Sequence, residues 1–424
     1  VEYSKKKFLQ DLGAGLTVGI VALPLSLALA IATGVPPILG LYTAGVAGFL
    51  AAAFSGSAYS VSGPAAAMVP ILAAIIKQHG LEHIPYITIL AALFLVTFAL
   101  IGIGKYIRKV PESVVLGFTA GIAVVILCSQ LNNFFGLSGI QSHAHFAENV
   151  WETLSHMATI HLPALFIGVS TLGIIIYGQK IPGLSKIPST LPAVVVATLL
   201  VLFVPLFGEV ATLGSKYGAL PLGFPPMNFG AFSLHELLNQ DLWFPAFQIA
   251  ALIAIESLLC AVVADRLMKS HHRSNQELAA QGVANLGVAL FGGIPATAVI
   301  ARTGTIIKNG AASRIAAMIH AVVVLAFVIA LAPVAAVIPL SALSAVLLVT
   351  AIKISEYKEV GTFIREKSWQ LASVLTTTLL LTMFTDLVVG VCAGLLLHIA
   401  YATHGKLRGR RGQDGPLQLN EREA

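Results

Sequence analysis

Two titratable side chains stand deep within apolar stretches: Arg302, in the run 297–308, and Glu256, in the run 245–265. At bilayer depth a charge costs at least about 2.5–3.5 kcal/mol on insertion scales, so such residues are functional candidates wherever they occur. Arg302 has no acid near it in sequence. It brings a permanent positive charge and five donors, a chemistry suited to a small anion. Its alternative roles are snorkelling to the membrane surface or neutralising a buried acid. Glu256 offers a carboxyl group that can take up or release a proton, and Cys260 follows one turn later on the same helix face. Glu256 would serve either as a titrating coupling site or as a structural partner for Arg302 or for backbone donors.

Arg302 follows a Gly/Pro-rich start, Gly292-Gly293-Ile294-Pro295, that leads into Ala296-Thr297-Ala298-Val299. A similar start, Ser62-Gly63-Pro64, leads into Ala65-Ala66-Ala67-Met68. The first amides of a helix have no partner within that helix, and its start carries roughly half a positive charge. Two short helices starting face to face near the midplane would make an anion site. The plainer reading is two ordinary Gly/Pro loops. The substrate-binding candidates are therefore Ala65, Ala66, Ala67, Thr297, Ala298, Val299, Ile300 and Arg302, with Glu256 and Cys260 as candidates for cation coupling. Two helix starts and Arg302 sum to roughly +2, against −1 from an ionised Glu256. A divalent anion would suit the site with Glu256 protonated, a monovalent one with it ionised. By reciprocity, anion binding and protonation of Glu256 would favour each other, and proton–anion symport follows.

These residues need a membrane to hold them. Of the 424 residues 57% are hydrophobic and only 10% charged, against about 25% charged in a soluble domain. Apolar runs near 12–33, 38–54, 64–77, 84–103, 113–130, 161–178 and 192–208 form a first set of seven spans. Runs near 245–265, 277–292, 297–308, 315–331, 335–352, 368–383 and 386–403 form a second. Residues 1–208 and 245–403 thus read as two seven-span repeats, and the odd number inverts the second. The Gly-, Pro- and Asn-rich stretch 209–244 reads as an external linker, and 404–424 as a disordered cytoplasmic tail. With the N-terminus inside, every Lys and Arg except Lys77, Lys216 and Arg302 falls on the cytoplasmic side, as the positive-inside rule requires. The formal net charge of +6 is thereby explained by topology, with both termini cytoplasmic in a plasma membrane and no call for nucleic acid. The Gly/Pro-started spans are the third of each set.

Other groups read as structural. His143, His145, His156 and His161 crowd one loop and His271-His272 another, without HExxH or a cysteine partner. Cys128, Cys260 and Cys392 lie too far apart in sequence for a CxxC site. The pairs Gly15/Gly19, Gly117/Gly121 and Gly390/Gly394 fit close helix packing. Gln281 and Asn285 read as interhelical hydrogen-bonders and Asp386 as a helix cap. No GxxxxGK[ST] loop and no nucleophile–base constellation occur, so neither ATP-driven transport nor an enzyme is expected, and no cofactor or metal.

Longer stretches resemble the SulP anion permeases: Asp11-Leu12-Gly13-Ala14-Gly15, Gly117-Phe118-Thr119-Ala120-Gly121, and Glu256-Ser257-Leu258-Leu259 through Val263-Ala264-Asp265. The likeness continues through Ser274-Asn275-Gln276-Glu277-Leu278, Gln281-Gly282-Val283-Ala284-Asn285, Phe291 to Thr297, Ala301-Arg302-Thr303 and Thr385 to Gly390. The resemblance covers roughly residues 4–403. It implies an all-α, UraA-like fold of 14 transmembrane segments in two intertwined inverted repeats, with spans 1–4 and 8–11 as core and 5–7 and 12–14 as gate. It also implies an anion between the third and tenth helices, a contribution from Arg302, cation coupling at Glu256, a homodimer and, in most members, a following STAS domain, which was either removed here or never part of this member. Sodium-coupled bicarbonate members resemble this chain but carry Asp at 256, Thr at 260 and Thr at 300. Here Glu256, Cys260 and Ile300 weaken a site for a hard cation, so the proton is favoured over sodium. Many relatives have Gln and an aromatic where this chain has Leu25 and Leu29. The expected function is elevator-like, proton-coupled symport of sulfate, bicarbonate or a small dicarboxylate. The alternatives are an uncoupled anion channel and a nucleobase-type carrier of the same fold.

Overall fold

A computed structural model describes residues 3–107, 110–141, 143, 145–180, 188–225, 227, 233–385 and 387–403. Asp386 and the tail 404–424 lie outside the described residues, as does part of the linker. The principal helices of the first repeat are α1 (Lys5–Ala32), α2 (Pro37–Phe54), α3 (Val69–His79), α4 (Ile84–Leu100), α5 (Glu112–Phe135), α6 (Leu162–Tyr177) and α7 (Thr190–Phe203). Those of the second are α8 (Trp243–Met268), α9 (Ser274–Leu290), α10 (Ile300–Lys308), α11 (Ile315–Leu331), α12 (Leu340–Ile354), α13 (Trp369–Phe384) and α14 (Leu387–Thr403). Among the described residues, seven helical stretches, containing α1, α2, α4, α5, α8, α11 and α12, are long and apolar enough to cross a membrane. Helices α3, α6, α7, α13 and α14 are apolar but shorter.

The expected spans are thus met by helices, with shifts that have local causes. The tenth starts at Ile300 rather than 297, because Thr297–Ala298 forms a strand. The twelfth starts at Leu340 rather than 335, because the preceding residues, which include Pro333 and Pro339, make a 3-10 turn and an extended cap. A surface helix, Tyr357–Glu366, was not expected.

The packing pattern carries the inverted repeat. Helix α1 packs on α11 and α8 on α4; α11 packs on α2 and α9 on α4; α2 and α9 pack on each other. Exchanging the repeats maps the first pairing onto the second, the third onto the fourth, and α2–α9 onto itself. The remaining helices behave alike, with α5 on α13, α12 on α6, and α5 on α12. Spans 1–4 and 8–11 therefore form one bundle, the core, and spans 5–7 and 12–14 a second, the gate. Large apolar side chains such as Leu93, Leu100, Phe166, Phe203, Val322 and Leu396 are exposed, which suits a surface solvated by lipid.

The paired glycines are packing devices. A β-carbon at Gly15 would lie 2.6 Å from Ala316 O, and one at Gly19 2.7 Å from Val323 Cβ, so these glycines let α1 close on α11. Gly117 and Gly121 meet α13 in the same way, and Gly390 and Gly394 bring α14 onto Thr378 and Thr382. Helix association in lipid depends on such close approach, because no hydrophobic difference drives it.

Candidate functional site

Backbone within a membrane must be hydrogen-bonded, so an interrupted span needs a partner for its broken ends. Ser62–Gly63 (β1) and Thr297–Ala298 (β2) supply it to each other as an antiparallel pair, with Ser62 opposite Ala298 and Gly63 opposite Thr297. Val299 N donates to Val61 O at 2.9 Å and extends the ladder. From this crossing the chain enters α3, through a 3-10 turn at Ala66–Met68, and α10. The two interrupted helices therefore begin beside each other. In α10 the first intrahelical amide is that of Thr303, which donates to Val299 O at 3.0 Å; the amides of Ile300, Ala301 and Arg302 precede it.

Side chains from α2 and α9 fix this crossing. Asn285 donates to Ala296 O at 2.9 Å and accepts from Ala296 N at 2.8 Å. Thr43 Oγ1 accepts from Ile294 N at 2.8 Å, and its hydroxyl faces two acceptors, Leu39 O at 2.8 Å and Ile294 O at 3.0 Å. Gln281 Nε2 reaches Ser62 Oγ at 2.8 Å and Glu277 Oε1 at 3.1 Å. Glu277, fully buried, also accepts from Ser55 Oγ at 2.5 Å and Ser57 N at 3.1 Å. Gln281 and Asn285 thus act on the strand segments, more directly than simple helix–helix contacts would. Thr43, Glu277 and Thr303 were not singled out from sequence; Glu277 and Thr303 sit inside stretches that carry the resemblance, but nothing in their spacing distinguished them.

Arg302 projects from the first turn of α10 into this junction and is 3% exposed. Its Nη2 donates to Ser26 Oγ of α1 at 3.0 Å. Its Nε and Nη1 are buried without a hydrogen-bond partner, and Nη1 lies against Gly63. Neither snorkelling nor a neutralising acid accounts for it: no ion pair joins it to Glu256 among the described residues. Glu256 is half-buried on α8, and its Oε2 also has no partner. Cys260, one turn on, is fully buried and donates to Thr303 Oγ1 at 3.1 Å. The same Thr303 oxygen accepts from Val61 N at 3.0 Å.

Ala65, Ala66, Ala67, Thr297 and Ala298 are buried around the crossing, Val299 is half-buried and Ile300 is exposed. Leu29 is buried in the core, whereas Leu25 packs on a gate cluster that includes Ile175, Val194 and Val346. The seam between the bundles is apolar at that point. His320 of α11 is a further fully buried polar side chain.

The geometry joins two helix starts to a guanidinium with no ion-pair partner among the described residues, inside an apolar bundle. A profile of the Sulfate permease family matches residues 8–400. The Bacillus subtilis protein YvdB is 42% identical over 401 residues, spanning 94% of this chain and 74% of that protein. The bicarbonate transporter BicA of Picosynechococcus sp. is 30% identical over 403 residues, spanning 91% of this chain and 69% of that one. The solved transmembrane domain of a cyanobacterium bicarbonate transporter BicA superposes with a TM-score of 0.79 at 27% identity, covering 92% of this chain and 99% of that one. SLC26A9, at 19% identity and a TM-score of 0.86, shares the fold over 95% of this chain and 66% of its own. The chain belongs to the Sulfate permease family, a family of membrane transporters rather than enzymes.

Proposed function

We propose that the chain is a secondary active transporter of a small oxyanion, bound where α3 and α10 begin. One observation carries the reading: Arg302 is buried with two unpaired nitrogens at the meeting point of two helix starts. A guanidinium in that setting has more donors than its protein surroundings satisfy. An oxyanion supplies paired acceptors for them and for the leading amides of α10. Sulfate and bicarbonate are the first substrates to test, given the family and the BicA relatives, with dicarboxylates next.

Coupling is assigned to Glu256. Its unpaired carboxyl shares α8 with Cys260, whose sulfur bonds Thr303 on the Arg302 helix. Soft sulfur and an aliphatic Ile300 make a poor cage for sodium, which favours a proton. The hydrogen bonds that fix the crossing run within the core, whereas Leu25 meets the gate through apolar contact. Such a division suits a core that slides as a unit against the gate, with both termini on the cytoplasmic side.

Uptake of radiolabelled sulfate, bicarbonate and fumarate into proteoliposomes at two pH values tests the reading. Accumulation driven by an inward proton gradient, lost in Arg302→Gln and made independent of pH in Glu256→Gln, is the expected result. Passive leak without accumulation would identify an uncoupled channel instead, and unchanged pH dependence in Glu256→Gln would reject the coupling assignment.

A further inference from the structure

The start of the linker is fastened to the start of α12. Leu213 N donates to Ile338 O and Leu340 N to Ala211 O, both at 2.9 Å, so the two segments run antiparallel about Thr212 and Pro339. Thr212 then opens a short helix, Leu213–Tyr217, by a reciprocal cap: Ser215 N donates to Thr212 Oγ1 at 3.2 Å and Thr212 N to Ser215 Oγ at 2.9 Å. That helix carries Lys216 to an open cavity of about 340 Å³, lined by this turn, the end of α5, the start of α6 and the start of α12. Its size falls within the usual range for small-ligand sites. It belongs to the gate and the linker, away from the α3–α10 crossing.

Several groups around this cavity favour negative charge. Leu340 and Ser341 line it from the first turn of α12, a 15-residue helix whose N-cap is Pro339 and which has no side-chain cap. Leu340 N is taken by Ala211 O and Leu343 N by Pro339 O, which leaves the amides of Ser341 and Ala342 to face an anion. Ser341 is 1% exposed, and its hydroxyl has no hydrogen-bond partner. Asn132 and Asn133 line the opposite side. At the α5 end Leu137 N donates to Asn132 O at 2.9 Å and Gly136 N to Asn133 O at 3.3 Å, so these amides screen part of the negative charge of that helix end. Lys216 is exposed over part of its surface, yet burial of its ammonium lowers its proton affinity below the ordinary lysine value. Glu209 is the acid among the lining residues.

We infer that this cavity is a second oxyanion-binding site. Lys216 and the N-terminal turn of α12 would take the charge, Ser341 and Asn133 would hydrogen-bond the oxygens, and Glu209 would limit the affinity. A free inorganic anion and a lipid headgroup phosphate present the same chemistry to these groups.

The site is tested by acylating the chain in phosphatidylcholine nanodiscs and following Lys216 by peptide mass spectrometry, with Lys180 as internal control. Sulfate at constant ionic strength is expected to slow acylation of Lys216 and leave Lys180 unchanged. Adding phosphatidylglycerol without sulfate separates the sources: protection by the lipid identifies a headgroup phosphate, protection by sulfate alone a free anion. No protection in either arm overturns the site. In the Arg302→Gln protein, sulfate should still raise the melting temperature. Adding Lys216→Gln should weaken that response by about tenfold, the scale of one charge-assisted contact, and adding Glu209→Gln should strengthen it. A melting response in Arg302→Gln that is indifferent to Lys216→Gln also overturns the proposal. Should Arg302→Gln fail to fold, the acylation measurement on the unaltered chain decides alone.

Discussion

Arg302 Nη1 lies against Gly63, where a β-carbon on residue 63 would collide with it. The strand that closes the first broken helix is thus also the wall that sets the position of the guanidinium. Gly63→Ala is expected to displace the tip of Arg302 rather than unfold the chain, because the obstructed group is the far end of a flexible side chain. Sulfate or bicarbonate uptake should fall by about tenfold or more, the loss that goes with one misplaced charge-assisted hydrogen bond of about 1.5–3 kcal/mol. Melting curves should show little change. Wild-type uptake in Gly63→Ala would mean that the position of Arg302 is immaterial to transport.

Packing predicts the opposite signature at Gly15. There the obstructing atoms are Ala316 O at 2.6 Å and Ile319 Cβ at 2.7 Å, and a helix backbone cannot step aside as an arginine tip can. Gly15→Ala should force α1 and α11 apart and destabilise the core by about 1–3 kcal/mol. The measurement is a lowered melting temperature in detergent, with an unaltered KM for the anion in the protein that remains folded. A raised KM at full stability would instead draw Gly15 into the binding site.

Outside the membrane-spanning helices, Glu152 fixes the loop between α5 and α6. It accepts from Gln141 N at 3.1 Å, and its other oxygen faces His143 Nε2 at 3.3 Å. The backbone bond from Gln141 leads the causes that hold its carboxyl below the ordinary glutamate value of 4.5; burial opposes it, and the histidines add to it. A depressed carboxyl stabilises the loop above the unfolded value and loses that effect as pH falls through the folded one. Amide exchange at Gln141, corrected for intrinsic rates, should therefore be protected at neutral pH and lose protection on acidification below 4.5. Glu152→Gln should remove the pH dependence; an acid-resistant Gln141 amide in the wild type would contradict the assignment.

Much of this could be read in the sequence because the membrane leaves so few solutions. An apolar run must be a helix, and a Gly/Pro break inside one must be closed by something, so Arg302 and the starts at Gly63-Pro64 and Gly293-Ile294-Pro295 stand out in the sequence itself. The closing element was less visible. Two-residue strands have no periodicity to detect, and the pairing of Ser62 with Ala298 joins positions far apart in the chain. Thr43 and Thr303 were invisible for another reason. A threonine in an apolar helix normally bonds its own preceding turn, as Thr88 does with Ile84 O at 2.6 Å and Thr43 with Leu39 O at 2.8 Å, and only the fold distinguishes those whose oxygen also meets another segment. The Lys216 cavity escaped because it is assembled from α5, α6, the linker and α12. Lys216 appeared in sequence only as an exception to the distribution of basic residues.

Thr303 ties the two halves of the site together, and its oxygen can be removed almost without changing shape. Its Oγ1 accepts from Val61 N at 3.0 Å and from Cys260 Sγ at 3.1 Å, linking the approach to β1, the start of α10 and the helix that carries Glu256. Thr303→Val keeps the volume but leaves the Val61 amide buried without an acceptor, at a cost of about 1–3 kcal/mol. It also releases the Cys260 thiol. Lower stability should accompany a changed pH dependence of uptake, since the link from α10 to the Glu256 helix is cut. Thr303→Ser, which keeps the hydroxyl and loses only a methyl group, should restore most of both. If valine and serine behave alike, the methyl group rather than the hydrogen bond matters at this position, and the coupling route through Cys260 falls.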